Sequence, residues 1–219
     1  MSSPNCNRIL IVDDHPMMRE GLRTLISRER DLIVCGEAET AGQALDAVAN
    51  LKPDLVLADI TLPGRNGIEL IKDICALQQA MLILVISMHD EALYAERALR
   101  AGARGYIMKE EGGPTMIKAI RQVLDGRIYL SDKMSARILE YVAGKRTKVS
   151  PIERLSDREW EVFQLIGRGK STVQIAEELH LSPKTVEAHR ARIKEKFDLR
   201  TMTELISFAS RWVETQDAG

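Results

Sequence analysis

Short apolar runs alternate with amphipathic stretches over the first 125 residues, and this alternation constrains the fold more than any other feature of the chain. Five segments are strand-like, namely 8–12, 32–37, 55–58, 81–86 and 105–108. Each is followed by a segment with helical spacing, namely 17–28, 41–51, 68–77, 91–101 and 115–124. Apolar strands that alternate with amphipathic helices are typical of a parallel sheet covered on both faces. The pattern predicts a doubly wound α/β domain with a five-stranded parallel sheet.

The residues just after the strands are the candidate site residues, because ligands of such sheets bind beyond the carboxyl ends of the strands. Asp13 and Asp14 follow the first strand, and Asp59 follows the third. Ser87 comes after the fourth apolar run and Lys109 after the fifth. Because parallel strands end at the same edge of a sheet, we expect these side chains to share one pocket.

Three carboxylates in one pocket repel one another unless a cation holds them, and their hard oxygen atoms favour Mg²⁺. A carboxylate beside Mg²⁺ and a lysine can act as a nucleophile toward phosphorus, while the two cations neutralise the phosphoryl oxygens. Taken singly, each residue has an ordinary interpretation, because Asp pairs after strands are usually turns or helix caps and single lysines are usually solvated. Their order after strands one, three and five favours the shared site.

From residue 155 onward the hydrophobic spacing is helical, with no strand alternation. Ser156 and Glu159 form a capping-box pattern before a first helix, which ends at the glycine-rich residues 167–169. A short second helix is predicted over 173–179. A third spans 183–197 with a proline at its first position, and a fourth spans 203–213. Two short helices joined by a tight turn are typical of a helix-turn-helix, so we predict a separate all-α domain of four helices.

The third of these helices combines an apolar stripe with an excess of basic residues on its other faces. At about 100° per residue, Val186, Ile193 and Phe197 fall on one stripe with His189, and this stripe is expected to face the core. The opposite face carries Lys184, Glu187, Ala188, Ala191, Arg192 and Glu195. Residues 184–200 hold six basic and three acidic residues, which suits attraction to phosphates. Charge alone is weak support for DNA binding, because most charged faces are simply solvated.

A small, basic segment that ends in a proline, 143–151, separates the two predicted domains. The formal net charge of the whole chain is −1, yet residues 131–149 carry five basic and two acidic residues. We predict a first domain over 7–125, a helical and basic linker over 126–152 and a second domain over 153–216. No apolar run reaches the roughly 18 residues needed to span a membrane. Three widely spaced cysteines are typical of a reduced, cytoplasmic protein.

With this set of strand-end residues, the segment 7–125 resembles the receiver domain of two-component response regulators, which has a flavodoxin-like fold. The resemblance implies that Asp59 is the phosphoacceptor. It implies that the Mg²⁺ ligands are Asp14, Asp59 and the main-chain carbonyl of Thr61, with Asp13 supporting the metal directly or through a water molecule. It also implies that the phosphoryl-binding and switch residues are Ser87, Lys109 and Tyr106. Glu110 departs from the family pattern, because many receivers have a proline in a cis bond there, and the geometry of this bond stays open.

The second domain carries the motifs Leu-Ser-x-Arg-Glu-x-Glu-Val at 155–162, Gly-Lys-Ser at 169–171, Ile-Ala at 175–176, Leu-Ser at 181–182 and Thr-Val-x-x-His at 185–189. These motifs resemble the LuxR-type DNA-binding domain over about 153–213, and the whole chain therefore resembles a NarL/FixJ-type response regulator. The resemblance implies that base edges are faced by Glu187, Ala188 and Ala191. It implies further DNA contacts, mostly to phosphates, from Lys184, Thr185, Arg190, Arg192 and Lys194.

The DNA-binding motif departs from the family at several positions. The methyl side chains of Ala188 and Ala191 cannot form hydrogen bonds with a base and can only contact a thymine methyl group. Glu187 could accept a hydrogen bond from cytosine or simply repel phosphate, and the sequence leaves both open. Thr172 and Val173 stand where an Asn-Lys pair is usual, which weakens one backbone contact to DNA.

The combined features predict a phosphorylation-dependent transcription regulator of a two-component system. A sensor histidine kinase is expected to phosphorylate Asp59, which alters dimerisation and releases the DNA-binding domain so that a homodimer binds a double-stranded DNA operator. The chain is expected to be no enzyme beyond its own phosphoryl transfer and loss. One alternative is a regulator whose DNA binding does not depend on phosphate. A remote one is an aspartate-nucleophile phosphatase, but such enzymes place two acids two residues apart, whereas Asp13 and Asp14 are adjacent.

Overall fold

The computed structural model describes residues 6–63, 66–89, 91–142 and 151–217. The chain divides into two compact units, Met1–Lys145 and Arg146–Gly219. The later part of the predicted linker, 143–150, lies outside the described residues. No helix in the described ranges is both long enough and apolar enough to cross a bilayer.

The first unit is built around a parallel five-stranded sheet with the strand order β2-β1-β3-β4-β5. The strands are β1 Asn7–Val12, β2 Leu32–Ala38, β3 Leu55–Ala58, β4 Leu82–Ser87 and β5 Gly105–Met108. The helices between and after them are α1 Pro16–Ile26, α2 Ala41–Leu51, α3 Gly67–Leu77, α4 Glu91–Ala101 and α5 Gly113–Leu124. The predicted α/β fold with five parallel strands is confirmed.

Both faces of this sheet are buried, which explains why its central strands carry continuous apolar runs, such as residues 9–12 of β1 and 55–58 of β3. Ile9 and Ile11 of β1 pack in a hydrophobic cluster with Leu22 of α1 and Ile120 of α5. The alternate residues of the same strand, Leu10 among them, are equally buried on the other face. Strand β1 lies between β2 and β3, so the direction of chain progression reverses there. The carboxyl ends of β1 and β3 therefore form the crevice in which ligands of doubly wound sheets bind.

The ends of several helices differ from the prediction by one to two residues, and local capping explains the difference. Helix α1 begins at Pro16, whose fixed φ suits the first helical position. Helix α3 begins at Gly67 because the Asn66 side chain accepts a hydrogen bond from the Ile68 amide. A further helix, α6 at Asp132–Val142, occupies part of the segment predicted as a helical and basic linker. All peptide bonds in the described ranges are trans, including the bond between Lys109 and Glu110.

The second unit is helical throughout its described residues. A short 3₁₀ turn at Pro151–Arg154 precedes α7 Asp157–Gly167, α8 Thr172–Glu178, α9 Pro183–Lys196 and α10 Met202–Asp217. Its core is an aromatic cluster in which neighbouring rings lie 4.9–6.2 Å apart, made of Trp160, Phe163, Phe197, Phe208 and Trp212. Glu159 and Gln174 complete capping boxes on α7 and α8. The predicted four-helix arrangement is confirmed, and α10 extends four residues beyond its predicted end.

Candidate functional site

Two buried carboxylates and one ammonium meet at the carboxyl ends of β1, β3 and β5. The main-chain amide of Asp59 donates to the carbonyl of Val12 at 2.8 Å, which holds the end of β3 against β1. Asp13 and Asp59 are 2% and 3% exposed. The Nζ atom of Lys109 lies 2.6 Å from Oδ2 of Asp13 and 2.7 Å from Oδ2 of Asp59. The fold therefore brings together three of the predicted site residues in one ion-paired cluster.

The electrostatics of this cluster follow from burial and from the short ion pairs. Burial raises the pKa of Asp59 above its ordinary value, against the opposing effect of the Lys109 ammonium and of the Thr61 amide, which donates to Oδ1 at 3.2 Å. Burial by itself lowers the pKa of Lys109, but attraction to Asp59 and Asp13 outweighs it and the pKa lies above its ordinary value. Lys109 is thus a permanent cation beside a carboxylate that water barely reaches.

Asp14 and His15 extend the cluster toward the surface. The Nδ1 atom of His15 lies 2.7 Å from Oδ1 of Asp14 and 3.2 Å from Oδ1 of Asp13. One ligand atom from each of Asp13, Asp14, His15 and Asp59 falls within 4.8 Å of the others. The carboxylate oxygens of this set suit a hard divalent cation such as Mg²⁺. The three aspartates were predicted from the sequence but His15 was not, and its position directly after Asp14 was the available signal.

His89 links the predicted switch residues with the loop that follows Asp59. Ser87 is fully buried, and its Oγ atom accepts a hydrogen bond from the His89 amide at 3.1 Å. Tyr106 is also fully buried, and its hydroxyl donates to the His89 carbonyl at 2.7 Å. The imidazole Nε2 of His89 lies 2.9 Å from Oγ1 of Thr61. Tyr106 is therefore both buried and hydrogen-bonded, and His89 joins the loop after β3 to the loop after β4.

Arg19 of α1 supports the acidic cluster through the main chain of Asp13, and it was not among the predicted site residues. One guanidinium nitrogen donates to the main-chain carbonyl of Asp13 at 2.7 Å. The same guanidinium pairs with Glu37 at 3.3 Å and with Glu39, which lie at the end of β2. Arg19 is buried on the same helix face as Leu22. A charged residue on the apolar stripe of α1 was the signal that could have identified it.

In the second unit, helix α9 presents the face that the sequence predicted. Val186 and Ile193 are fully buried, whereas the opposite side is exposed. The exposed residues on that side include Lys184, Glu187, Ala188, Ala191 and Arg192. Thr185 and Lys194 are half-buried at its borders.

Arg190 differs from the expectation that it projects toward DNA phosphates. Its side chain is buried beneath α9, where it donates hydrogen bonds to the hydroxyl of Thr172 and to Oε1 of Glu187, the latter at 3.3 Å. The hydroxyl of Thr172 donates in turn to Oε1 of Glu187 at 2.6 Å. Arg190 therefore joins α9 to α8, because burying a guanidinium requires an anionic or polar partner within the fold.

A doubly wound domain with this acidic cluster, followed by a helix-turn-helix unit, defines a regulator class in which a receiver precedes a DNA-binding domain. Residues 9–121 match the family model of the response regulator receiver domain. Residues 153–209 match the family model of bacterial regulatory proteins of the luxR family. The chain belongs to the response regulators of the NarL/FixJ type, whose members are transcription regulators of two-component systems.

Relatives of this type match over nearly the full chain. The nitrate/nitrite response regulator NarL of Escherichia coli is 31% identical over 99% of both chains. The oxygen regulatory protein NreC of Staphylococcus haemolyticus is 35% identical over 92% of this chain and 96% of its own. The response regulator GacA of Pseudomonas aeruginosa is 33% identical over 93% of this chain and 95% of its own.

Solved structures of response regulators also resemble this chain. A two-component response regulator of the LuxR family from Aurantimonas is 38% identical, with a TM-score of 0.59 over 63% of this chain and 99% of that chain. RcsB of Salmonella enterica, bound to the rprA promoter in the presence of the phosphomimetic BeF₃⁻, is 25% identical. Its TM-score is 0.63 over 94% of this chain and 99% of that chain.

Proposed function

We propose that Asp59 accepts a phosphoryl group from a sensor histidine kinase and that this event controls DNA binding by the chain. The observation that carries the proposal is the position of Lys109, whose Nζ atom bridges the buried carboxylates of Asp13 and Asp59. A structural ion pair needs one carboxylate. Two carboxylates around one ammonium, with a third at Asp14, form a site with an excess of negative charge that a bound cation would offset.

The transfer step uses residues that the fold already holds in place. An oxygen of the Asp59 carboxylate attacks phosphorus, a P–O bond forms, and the P–N bond to the kinase imidazole breaks. Lys109 stabilises the negative charge that develops on the phosphoryl oxygens. The buried Ser87 hydroxyl, at the end of the neighbouring strand β4, donates a hydrogen bond to the bound phosphoryl group in this proposal.

Receiver domains bind Mg²⁺ in an acidic pocket, and the oxygen atoms of this cluster suit that ion. We assign its ligands to Asp13, Asp14, Asp59 and the main-chain carbonyl of Thr61. When bound, Mg²⁺ supplies the charge that lets a phosphoryl group approach three carboxylates.

The switch in this proposal is the hydrogen-bonded set around His89. The Ser87 Oγ atom accepts a hydrogen bond from the His89 amide, so a rotation of Ser87 that turns its hydroxyl toward a phosphoryl group breaks that bond, and His89 is also bonded to Tyr106 and Thr61. Movement of Ser87 therefore changes the loop between β4 and α4 as well as the environment of Tyr106. This conformational change is the route by which phosphorylation alters dimerisation and releases the second domain.

The output is the binding of a double-stranded DNA operator by a homodimer. The RcsB structures with promoter DNA and with dimers on DNA support this form of output for the present chain. The DNA contacts are assigned to α9, with Lys184, Thr185, Arg192 and Lys194 at phosphates and with Ala188 and Ala191 near base edges. We propose domain limits of 7–125 and 153–216 with a linker over 126–152. We also propose a cytoplasmic location and no enzymatic activity beyond phosphoryl transfer to Asp59 and its loss.

The test is labelling of the full chain by a small-molecule phosphodonor, phosphoramidate with Mg²⁺, followed by intact-mass measurement. The wild-type chain should gain one phosphoryl group, and Asp59→Asn should gain none. Asp46→Asn is the matched control, because Asp46 is an exposed aspartate on α2 that has no role in the site. Undiminished labelling of Asp59→Asn would refute the assignment of the phosphoacceptor.

The regulatory half of the proposal is tested by capturing genomic DNA fragments with the purified chain, with and without Mg²⁺ and beryllofluoride. Fragments enriched only with beryllofluoride would support control through Asp59. Equal enrichment in both samples would show that DNA binding does not depend on phosphorylation, and the first alternative would then replace the proposal.

A further inference from the structure

We infer that Glu187 selects cytosine in the major groove and that Thr172 and Arg190 hold its carboxylate in the reading position. The inference rests on the proposed function, because it requires that α9 binds duplex DNA. It addresses the point that the sequence left open, namely whether Glu187 recognises a base or only repels phosphate.

Hydrogen bonds within the fold hold one oxygen of the Glu187 carboxylate, and the other oxygen remains available to accept a hydrogen bond from DNA. Oε1 accepts hydrogen bonds from the Thr172 hydroxyl at 2.6 Å and from Arg190 at 3.3 Å. The side chain of Glu187 is 53% exposed, whereas that of Arg190 is 10% exposed. Within residues 151–217, Oε2 makes no hydrogen bond. The carboxylate is therefore anchored from the inner side of α9 and presents a single acceptor to solvent.

The positive charge of Arg190 offsets the repulsion between the Glu187 carboxylate and the DNA phosphates. Arg190 contributes no exposed positive charge to the surface, because its guanidinium lies under the helix and pairs with Glu187. Together the two side chains have no net charge, so Glu187 can approach the groove without the penalty of an isolated anion. The attraction to phosphates remains with the exposed cations Lys184 and Arg192.

The neighbouring side chains favour close approach to the base edges. Ala188 and Ala191 are exposed and small, so the backbone of α9 can come near the floor of the groove. Neither offers a hydrogen bond. Among these three neighbouring residues of α9, Glu187 is consequently the one whose side chain can accept a hydrogen bond from a donor on a base edge.

The chemistry of the carboxylate points to cytosine. A carboxylate only accepts hydrogen bonds, and the donors at major-groove edges are the amino groups of cytosine and adenine. The adenine amino group lies beside the N7 acceptor, which would face the carboxylate unfavourably, whereas cytosine presents its N4 amino group without an adjacent acceptor. A single available oxygen suits a single amino group.

The experiment begins with selection of binding sites by the full chain from a random duplex library, in the presence of Mg²⁺ and beryllofluoride. Each position of the selected site is then substituted, and affinities are measured for the wild type and for variants. The wild type should prefer cytosine at one position in each half-site by roughly 5- to 100-fold over other bases. Glu187→Ala should abolish this preference, and Glu187→Gln should change it toward adenine, because an amide can serve both N6 and N7.

Two further variants separate a reading role from a merely structural one. Thr172→Val removes the hydroxyl that holds Glu187 but keeps the side-chain shape, and should reduce the cytosine preference while the preferences at other positions persist. Arg190→Lys should act in the same direction, with thermal unfolding used to confirm that α9 remains folded. Glu177→Gln is the control, because Glu177 is an exposed carboxylate on α8 and should leave every preference unchanged.

The outcomes distinguish this inference from the proposed function. A selected site whose base preferences are the same in Glu187→Ala would overturn the inference alone. A Glu187-dependent preference of the wild type for any base other than cytosine would also overturn it. If the selection enriches no DNA sequence, the proposed function and the inference are both overturned.

Discussion

Asp13, Asp59 and Lys109 are three charged groups that have little access to water. Their arrangement places one ammonium between two carboxylates, so the cluster holds a net negative charge inside the fold. Removing one partner of a buried ion pair costs about 3–5 kcal/mol, because the remaining charge is left without compensation. The same residues that form the proposed phosphorylation site therefore contribute to the stability of the first unit.

Lys109→Met should reduce the free energy of unfolding by about 3 kcal/mol when divalent cations are removed by a chelator. Mg²⁺ should restore part of the loss, because an ion that binds only the folded chain stabilises it and replaces the missing ammonium. Urea unfolding followed by circular dichroism, with and without Mg²⁺, measures both effects. Lys118→Met, an exposed lysine of α5, should change stability by less than about 0.5 kcal/mol. The proposed cation site would be contradicted if Mg²⁺ stabilised neither the wild type nor Lys109→Met.

Arg19→Met should lower the free energy of unfolding by about 2 kcal/mol and slow the labelling of Asp59 by phosphoramidate. The reason is that Arg19 holds the main-chain carbonyl of Asp13 and ties α1 to the end of β2. Arg23→Met is the matched control, because Arg23 is half-exposed and pairs with the surface residues Glu20 and Glu37, and it should cost about 0.5 kcal/mol or less. If both variants label at the wild-type rate, Arg19 has no positioning role.

At the scale of elements, the start of α3 and the end of β3 determine where Asp59 lies. The Gly67 amide donates to the carbonyl of Ile60 at 2.8 Å, and a Cβ atom at position 67 would come within 2.6 Å of the Cα atom of Ile60. Glycine is required here for close approach of two backbone segments rather than for an unusual φ. The N-terminus of α3 is thus pressed directly against the loop that carries Asp59.

Gly67→Ala should destabilise the chain by about 1–3 kcal/mol, because the backbone of α3 or of the loop must move. It should also reduce labelling of Asp59. Gly42→Ala on α2 is the control: a Cβ atom there meets no atom within 4 Å, and the substitution should stabilise the helix by about 0.5 kcal/mol. Chemical unfolding and intact-mass labelling of the two variants check this difference. Wild-type labelling of Gly67→Ala would show that the close approach is not needed for the site.

The capping box of α7 predicts a pH dependence for the second unit. Burial alone would raise the pKa of Glu159, but hydrogen bonds from Lys196 at 2.6 Å and from the Ser156 amide at 2.8 Å outweigh it, so the pKa lies below its ordinary value. The folded unit therefore binds fewer protons than the unfolded one. The contribution of Glu159 is present above the ordinary pKa and is lost as the pH falls through the lowered value.

Glu159→Gln should destabilise the second unit near neutral pH by about 1–3 kcal/mol and should flatten the decline in stability below about pH 5. Tryptophan fluorescence measures this directly, because both tryptophans of the chain, Trp160 and Trp212, belong to the second unit. Glu177→Gln should leave the pH profile unchanged. A profile of Glu159→Gln that is parallel to that of the wild type would rule out this source of pH dependence.

For the whole molecule, charge distribution matters more than total charge. The formal net charge is −1, so no overall attraction draws the chain to DNA. In the proposed function the exposed cations of α9 supply this attraction locally, without Arg190, whose guanidinium is paired inside the fold. Affinity for an operator should accordingly depend on a small number of surface residues.

Lys184→Gln and Arg192→Gln should each weaken binding about equally across DNA sequences. Each should also reduce the slope of log affinity against log salt by about 0.9 for every phosphate that the variant no longer neutralises. Lys118→Gln, on the first unit, should leave the slope unchanged. Titration of a fluorescent duplex at several salt concentrations gives the slopes. A weakening confined to one DNA sequence would instead assign the residue to base recognition.

The sequence by itself determined those features that depend on local periodicity and on strand ends. Continuous apolar strands that alternate with amphipathic helices are typical of a parallel sheet buried on both faces, so five strands and the edge that carries Asp13, Asp59 and Lys109 followed from the pattern. The helix starts at Ser156 and Ser182 followed in the same way, because capping needs only a side chain and an amide three residues later.

Only the tertiary structure decided which side chains meet across elements. Arg19 reaches the carbonyl of Asp13 and the end of β2, and Arg190 turns under α9 to Thr172 instead of toward solvent. No periodicity encodes these contacts, because they depend on the direction of long side chains and on the need of a buried guanidinium for partners that lie on another element. For that reason the residue types at the two sites could be predicted from the sequence, whereas the ion pairs that orient them could not.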